Sequence, residues 1–115
     1  MVEKEKAMKK YEFTDEVKHV HGITLHRIRH IKTGTLGGWL QSEKNLSQTG
    51  KSWVSDETLV FGGARISGNA QVSGKSRVSG NARVSGDARV SGKSWVSGDA
   101  RVSGKSWVYS NTKIR

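Results

Sequence analysis

A six-residue repeat runs without a gap from Ser52 to Arg115, and it constrains the fold more than any other feature of the chain. An aliphatic residue recurs at every sixth position, a small residue stands two positions before it, and Gly follows most of the aliphatic residues by two positions. The aliphatic residues are Val54, Val60, Ile66, Val72, Val78, Val84, Val90, Val96, Val102, Val108 and Ile114. Repetition at a short fixed period predicts a solenoid, because each unit adds the same piece of structure to the last.

The residues within one unit predict a short strand followed by a corner. In an extended segment the small and the aliphatic residue point to one side, and the residue between them points to the other. Gly after the aliphatic residue allows the positive φ that a tight corner needs. The core is therefore expected to consist of Val, Ile, Ala, Ser and Thr, with the intervening residues on the outside.

This pattern resembles the hexapeptide-repeat family, whose fold is a left-handed parallel β-helix in which three six-residue units make one turn. The segments KYEF, LHRIR, GTLGGWL, NLSQ and GKSWV extend the resemblance to the YdcK-like hexapeptide-repeat proteins of bacteria, their phages and prophages. The resemblance implies an all-β protein with an N-terminal capping segment and a phage or prophage setting. That family is largely uncharacterised, so the resemblance implies no activity.

Three units per turn place residues eighteen apart on the same face, about 4.8 Å from one another. The first face then carries Trp53, Gln71, Arg89 and Trp107, the second Leu59, Arg77, Trp95 and Lys113, and the third Arg65, Arg83 and Arg101.

The sequence before the repeat predicts a tail at residues 1–7 and a cap at residues 8–51, with the coil at residues 52–115. An irregular entry with a turn at His21-Gly22 should lead into an alternating strand from Ile23 to Ile31. A solenoid must cover its terminal turns, and the apolar residues of the cap are expected to do so. They are Phe13, Leu25, Ile28, Trp39, Leu40 and Leu46. No comparable cap follows Ile114, which predicts a C-terminal turn that is open or closed by another subunit.

The formal net charge of +10 on 115 residues favours an anionic partner, although a polar outer surface also serves solubility. The sequence contains no Cys, and it shows neither a signal peptide nor an apolar stretch long enough for a transmembrane helix. These features predict a cytoplasmic protein without membrane association, located in the host cytoplasm if a phage encodes it.

Arginines at the outward positions are the candidate anion-binding residues. Arg65, Arg83 and Arg101 form a ladder of one residue type, and Arg77 and Arg89 lie on the neighbouring faces. Guanidinium groups suit phosphates in bidentate geometry. The alternative is a set of splayed, solvated side chains near the corner residues Asp87 and Asp99.

Outward aromatic residues predict a contact surface, and we expect Trp53, Trp95, Trp107 and Tyr109 to form it. Trp and Arg are frequent anchors of protein–protein interfaces, so the favoured interpretation is a homo-oligomer, a dimer or trimer. The alternative is stacking of nucleic-acid bases on the rings.

No metal, cofactor or catalytic residue is predicted. The four histidines lie in the cap, where His26 and His30 are too far apart along a strand for one metal ion, and the coil contains no His to act as a base. The predicted function is a non-enzymatic phage-type accessory protein that binds nucleic acid, a nucleotide or a nucleoprotein, with counter-defence such as inhibition of a CRISPR nuclease as its setting. The alternatives are a self-assembling structural module and a diverged hexapeptide-repeat transferase.

Overall fold

The computed structural model describes residues 9–109 and 112–114, and it shows the solenoid that the repeat predicts. The cap contributes β1 (Tyr11–Val20), β2 (Ile23–His30), β3 (Leu36–Leu40) and a 3-10 helix (Glu43–Asn45). The coil contributes β4 (Trp53–Val54), β5 (Leu59–Val60), β6 (Arg65–Ile66), β7 (Gln71–Val72), β8 (Arg77–Val78), β9 (Arg83–Val84), β10 (Arg89–Val90), β11 (Trp95–Val96), β12 (Arg101–Val102), β13 (Trp107–Val108) and β14 (Lys113–Ile114).

Parallel pairing of strands three apart builds the three faces. The first face contains β4, β7, β10 and β13, the second β5, β8, β11 and β14, and the third β6, β9 and β12. Arg89 pairs with Gln71 on one side and with Trp107 on the other, so residues eighteen apart are direct neighbours. The all-β fold class and the grouping of strand residues into three faces are therefore confirmed, but Leu59, expected on the outside of the second face, is buried against Leu25 and Trp39 of the cap.

The interior holds one aliphatic and one small side chain from each six-residue unit except the last two, in which Ser106 and Thr112 are exposed. Val54, Val60, Val78 and Val90 have no exposed surface, and the same is true of the small residue Ala88. Buried hydroxyls of the core donate hydrogen bonds to corner carbonyls, as from Ser94 Oγ to the Ser91 oxygen of its own turn at 2.9 Å and from Thr58 Oγ1 to the Gly74 oxygen of the next turn at 3.3 Å. A buried hydroxyl is therefore tolerated in the core because it has a partner.

Backbone hydrogen bonds join each turn to the next. The Arg83 N–H donates to the Ala100 carbonyl at 2.9 Å, and this pattern repeats along each face. The corners turn through residues with positive φ, which is +72° at Gly74. Asp56 occupies the equivalent position one turn earlier with φ 59°, and its carboxylate accepts a hydrogen bond from the Gly74 N–H at 3.1 Å. Asp is among the few non-Gly residues that tolerate this conformation.

An antiparallel hairpin of β1 and β2 forms the N-terminal part of the cap. The turn at His21-Gly22 is confirmed, since both residues have positive φ, as tight hairpin turns require. The strand from Ile23 is confirmed as well, whereas the expectation of an irregular entry before it is wrong. This entry segment is a ten-residue strand, β1, whose register shifts between Phe13 and Val17. Apolar and polar residues alternate only weakly along it, and pairing with β2 holds it in the extended conformation.

The stacked turns begin before the six-residue pattern does. Strand β3 pairs antiparallel with β2 and parallel with β5, and Leu46 forms a parallel bridge with Ile66. Leu40 and Leu46 are fully buried in the main core. Parallel stacking therefore starts within residues 8–51, the segment expected to act only as a cap. Leu40 aligns with Val60, which is twenty residues later in the chain. The first turn therefore contains two residues more than the eighteen of a regular turn, and a search for an eighteen-residue period does not detect it.

Candidate anion-binding faces

The third face presents the arginine ladder as predicted. Arg65 pairs with Arg83, Arg83 pairs with Arg101, and all three side chains are exposed. Among the residues that the structure describes, the ion pairs are Lys9–Glu43, Lys18–Glu57, Arg27–Glu16 and Arg29–Glu12. None of them includes a ladder arginine. The charges of the third face therefore have no carboxylate partner within the described part of the protein.

A groove of about 550 Å³ lies at the N-terminal end of the ladder. Arg65 and Arg83 form one side, and residues 43–48 of the cap form the other. Asp87 and Asp99 stand at the two corners that border the third face, and Asp87 accepts a hydrogen bond from Asn69 Nδ2 at 3.1 Å. The ladder is thus a cationic strip between two corners that each carry a carboxylate.

The first face carries a larger groove, of about 980 Å³. Trp107 and Tyr109 are its aromatic lining and are 66 % and 59 % exposed. The guanidinium carbon of Arg89 lies 5.6 Å from the centroid of the Trp107 ring, within the range of a cation–π contact. Lys51 adds a second cation to the lining, and Asn69, Gln71 and Asp87 add amide and carboxylate groups.

The second face alternates cations and aromatic rings. Trp95 lies between Arg77 and Lys113, each 5.2 Å from its ring centroid. In the cap, Lys18 Nζ lies 4.5 Å from the ring centroid of Trp39, which pairs with Leu59 and so extends the second face. Trp95 is 43 % exposed, so part of the ring remains accessible although cations flank it.

Trp53 was expected to lie on a free outer surface together with the other tryptophans, and the structure corrects this expectation. Its side chain does point away from the coil interior, but the cap covers it. His30 packs against the Trp53 ring edge-on, with centroids 5.4 Å apart. A Cβ added to Gly37 would lie 2.7 Å from the same ring. Trp53 is therefore half-buried beneath the cap, whereas Trp95, Trp107 and Tyr109 are exposed.

The histidines of the cap are dispersed. His26 stacks on Phe13 with centroids 4.6 Å apart, and His19 Nδ1 lies 3.1 Å from Thr24 Oγ1. In the described ranges, no three His, Cys, Asp or Glu side chains come together as metal ligands would. None of the helices described there is long and apolar enough to cross a membrane.

Sequence reasoning missed the side chains that join the cap to the coil. Tyr11 is fully buried and its hydroxyl donates to the Leu46 carbonyl at 2.6 Å. Lys10 Nζ donates to the Ser52 carbonyl at 2.6 Å. It also missed Lys51, Asn69 and Asp87 in the first-face groove, although their eighteen-residue spacing along one corner was visible in the sequence.

Comparison with known proteins agrees with this architecture. The family model described as YdcK Beta solenoid repeat matches residues 64–80, 76–92, 82–98 and 96–110. The chain is also 40% identical over 50 residues to the protein named "Uncharacterized acetyltransferase YdcK" of Escherichia coli (strain K12). That match covers 43% of this chain and 15% of the relative. Phage origin and a role in counter-defence stay predictions. The repeat matches and the stacked parallel strands together show a β-solenoid whose repeats over residues 64–110 are similar to the YdcK β-solenoid repeats.

Proposed function

We propose that this protein is a non-enzymatic binding protein whose outer coil faces bind an anionic polymer. The observation that carries the proposal is the ladder of Arg65, Arg83 and Arg101, which is exposed, stacked rung on rung and without an ion pair among the described residues. The net charge of +10 on the whole sequence also favours an anionic partner.

Stacking like charges has an energetic cost that a polyanion would remove. Two unit charges about 4 Å apart repel by about 1 kcal/mol in water and by about 4 kcal/mol at an effective dielectric constant of 20. A bound phosphate chain replaces this repulsion with attraction, and each guanidinium can hold a phosphate through two parallel hydrogen bonds. Nucleic acid is the anionic polymer that best fits this geometry among the partners predicted from the sequence.

A salt titration tests the proposal. Affinity for a labelled polyanion should fall steeply with salt concentration, because each neutralised phosphate releases a counterion. The triple variant Arg65→Gln, Arg83→Gln, Arg101→Gln should reduce the logarithmic slope by up to about 3. Its fold should persist, because the three side chains lie outside the core.

The matched control removes the same charge from the cap. The variant Lys18→Gln, Arg29→Gln, Lys32→Gln lowers the net charge equally but leaves the ladder intact. It should retain a slope closer to wild type. Equal slopes for the two triple variants would show that only net charge matters, and absence of binding by wild type would favour the self-assembling module instead.

Acetyl transfer is a second candidate function, favoured by the name of the Escherichia coli relative. A transferase needs a general base within hydrogen-bond reach of the acceptor. The histidines available to this chain are in the cap, where His26 stacks on Phe13 and His30 packs on Trp53. Incubation with an acetyl thioester and a panel of amines tests this alternative, and turnover that His30→Gln abolishes would establish it over the binding function.

A further inference from the structure

Two identical twelve-residue segments, 84–95 and 96–107, occupy different places in the coil. Twelve residues make two of the three sides of a turn, so each equivalent pair of residues falls on two different faces. Arg89 lies on the first face and its copy Arg101 on the third, while Trp95 lies on the second face and its copy Trp107 on the first. The same local sequence is thus displayed in two environments.

The environments differ most for the two tryptophans. Trp95 has a cation 5.2 Å from its centroid on the preceding rung and another at the same distance on the following rung. In the described part of the chain, Trp107 has one cation at that range, Arg89, and is 66 % exposed against 43 % for Trp95. Trp107 also shares its groove with Tyr109, whereas Trp95 lines no groove of comparable size among those described.

We propose that the first-face groove binds a single-stranded nucleic acid, with bases stacked on Trp107 and Tyr109 and phosphates held by Arg89 and Lys51. This inference deepens the proposed function and rests on it. Exposed aromatic rings beside cations are the combination that binds unpaired strands, because each base offers a ring face and each phosphate a charge. The amide and carboxylate groups of Asn69, Gln71 and Asp87 supply hydrogen-bonding partners for base edges in the same groove.

The chemistry of the groove selects against two other occupants. A duplex keeps its base faces stacked on one another, so it can use the cations of the groove but not its rings. A second copy of this chain would bring Arg89 and Lys51 towards a molecule that also carries a net charge of +10. Neither a duplex nor a second copy therefore complements both the exposed rings and the cations of the groove.

The duplicated segments provide matched variants for the experiment. Binding of a labelled, mixed-sequence single-stranded oligonucleotide is measured by fluorescence anisotropy for Trp107→Ala, Trp95→Ala, Arg89→Gln and Arg101→Gln, with circular dichroism as a check of fold. Trp107→Ala should weaken binding about fivefold or more, and Trp95→Ala should weaken it by less. Arg89→Gln should likewise weaken binding more than Arg101→Gln. The same variants are titrated with polyphosphate, which has charge but no bases, and there Trp107→Ala should have no effect.

The results separate this inference from the function on which it rests. Equal losses for Trp107→Ala and Trp95→Ala would overturn the first-face site, as would wild-type affinity for polyphosphate equal to that for the oligonucleotide. Either result would still leave polyanion binding in place. If wild type bound neither the oligonucleotide nor polyphosphate, the inference and the proposed function would both be overturned.

Discussion

Replacing one corner glycine with alanine should destabilise the coil far more at Gly74 than at Gly104. Both residues follow Val-Ser and precede Lys-Ser, and both have positive φ, +72° and +63°. Alanine in a left-handed conformation costs about 1–2 kcal/mol, and this cost applies equally at the two positions. The gain from a stiffer unfolded chain is also common to both. The difference between the variants therefore reports only what the new methyl group contacts.

The contacts are unequal. A Cβ at Gly74 would lie 2.7 Å from the Gly92 carbonyl oxygen and 2.9 Å from the Gly92 nitrogen, whereas a Cβ at Gly104 has no heavy atom within 4 Å. These are backbone atoms, so the two turns must move apart. The movement would stretch the bond from the Lys75 N–H to the Gly92 carbonyl, now 2.8 Å, and its neighbour from Ser73 to Val90. At about 1 kcal/mol for each weakened bond, Gly74→Ala should lose about 2 kcal/mol more than Gly104→Ala.

Urea unfolding followed by circular dichroism measures this difference. Both variants should unfold with the slope of wild type, so that the shift in midpoint converts directly into free energy of unfolding. The midpoint of Gly74→Ala should lie clearly below that of Gly104→Ala. Equal midpoints would refute the reasoning, because they would show that the corners of successive turns do not approach as closely as the stacking requires.

Three further changes test other parts of the structure. Val90→Asp should abolish folding, since it places an unpaired charge in a core position with no exposed surface, and a soluble, folded variant would contradict the register. Tyr11→Phe should lower the free energy of unfolding by about 1–3 kcal/mol, because the buried Leu46 carbonyl loses the hydroxyl as donor. Burial and the nearby Glu43 raise the pKa of Tyr11 above its unfolded value of about 10. The protonated hydroxyl therefore contributes fully to the free energy of unfolding below a pH of about 10, and this contribution is lost as the pH rises from there through the raised pKa. Wild type, unlike Tyr11→Phe, should therefore show this additional loss of stability in alkaline titration. Sedimentation should show a dimer or trimer that Trp95→Ala weakens, and a strict monomer at high concentration would reject the predicted oligomer.

The coil could be predicted from sequence because one local rule determines it. A small and an aliphatic residue at fixed spacing specify which side of every short strand is buried, and repetition specifies which strands pair. The cap follows no such rule. Tyr11 stands among charged residues, and nothing local indicates that its ring is buried or that its hydroxyl reaches the Leu46 carbonyl, thirty-five residues away. The early start of stacking at β3 was hidden for a related reason, since the twenty-residue step from Leu40 to Val60 breaks the period.

The candidate sites show the same division between local and distant information. The period placed each arginine and tryptophan of the coil on its face. It could not show what the cap would cover, and so Trp53 was expected to be free when His30 packs against it. The period also did not show that side chains of the first face and its corner would enclose the larger groove.

Copying of segments 84–95 and 96–107 separates the requirements of the core from those of the surface. The interior accepts any unit with a small and an aliphatic residue, so insertion of a multiple of six residues preserves the core wherever it occurs. The outward residues of a twelve-residue copy nevertheless move to other faces and meet other neighbours. Identical sequence therefore gives Trp95 two flanking cations and Trp107 an open groove. In a solenoid of this kind, the function of an outward residue depends on its face and on the residues eighteen positions away. Its adjacent sequence is consequently a poor guide, and a shared repeat does not imply a shared binding partner.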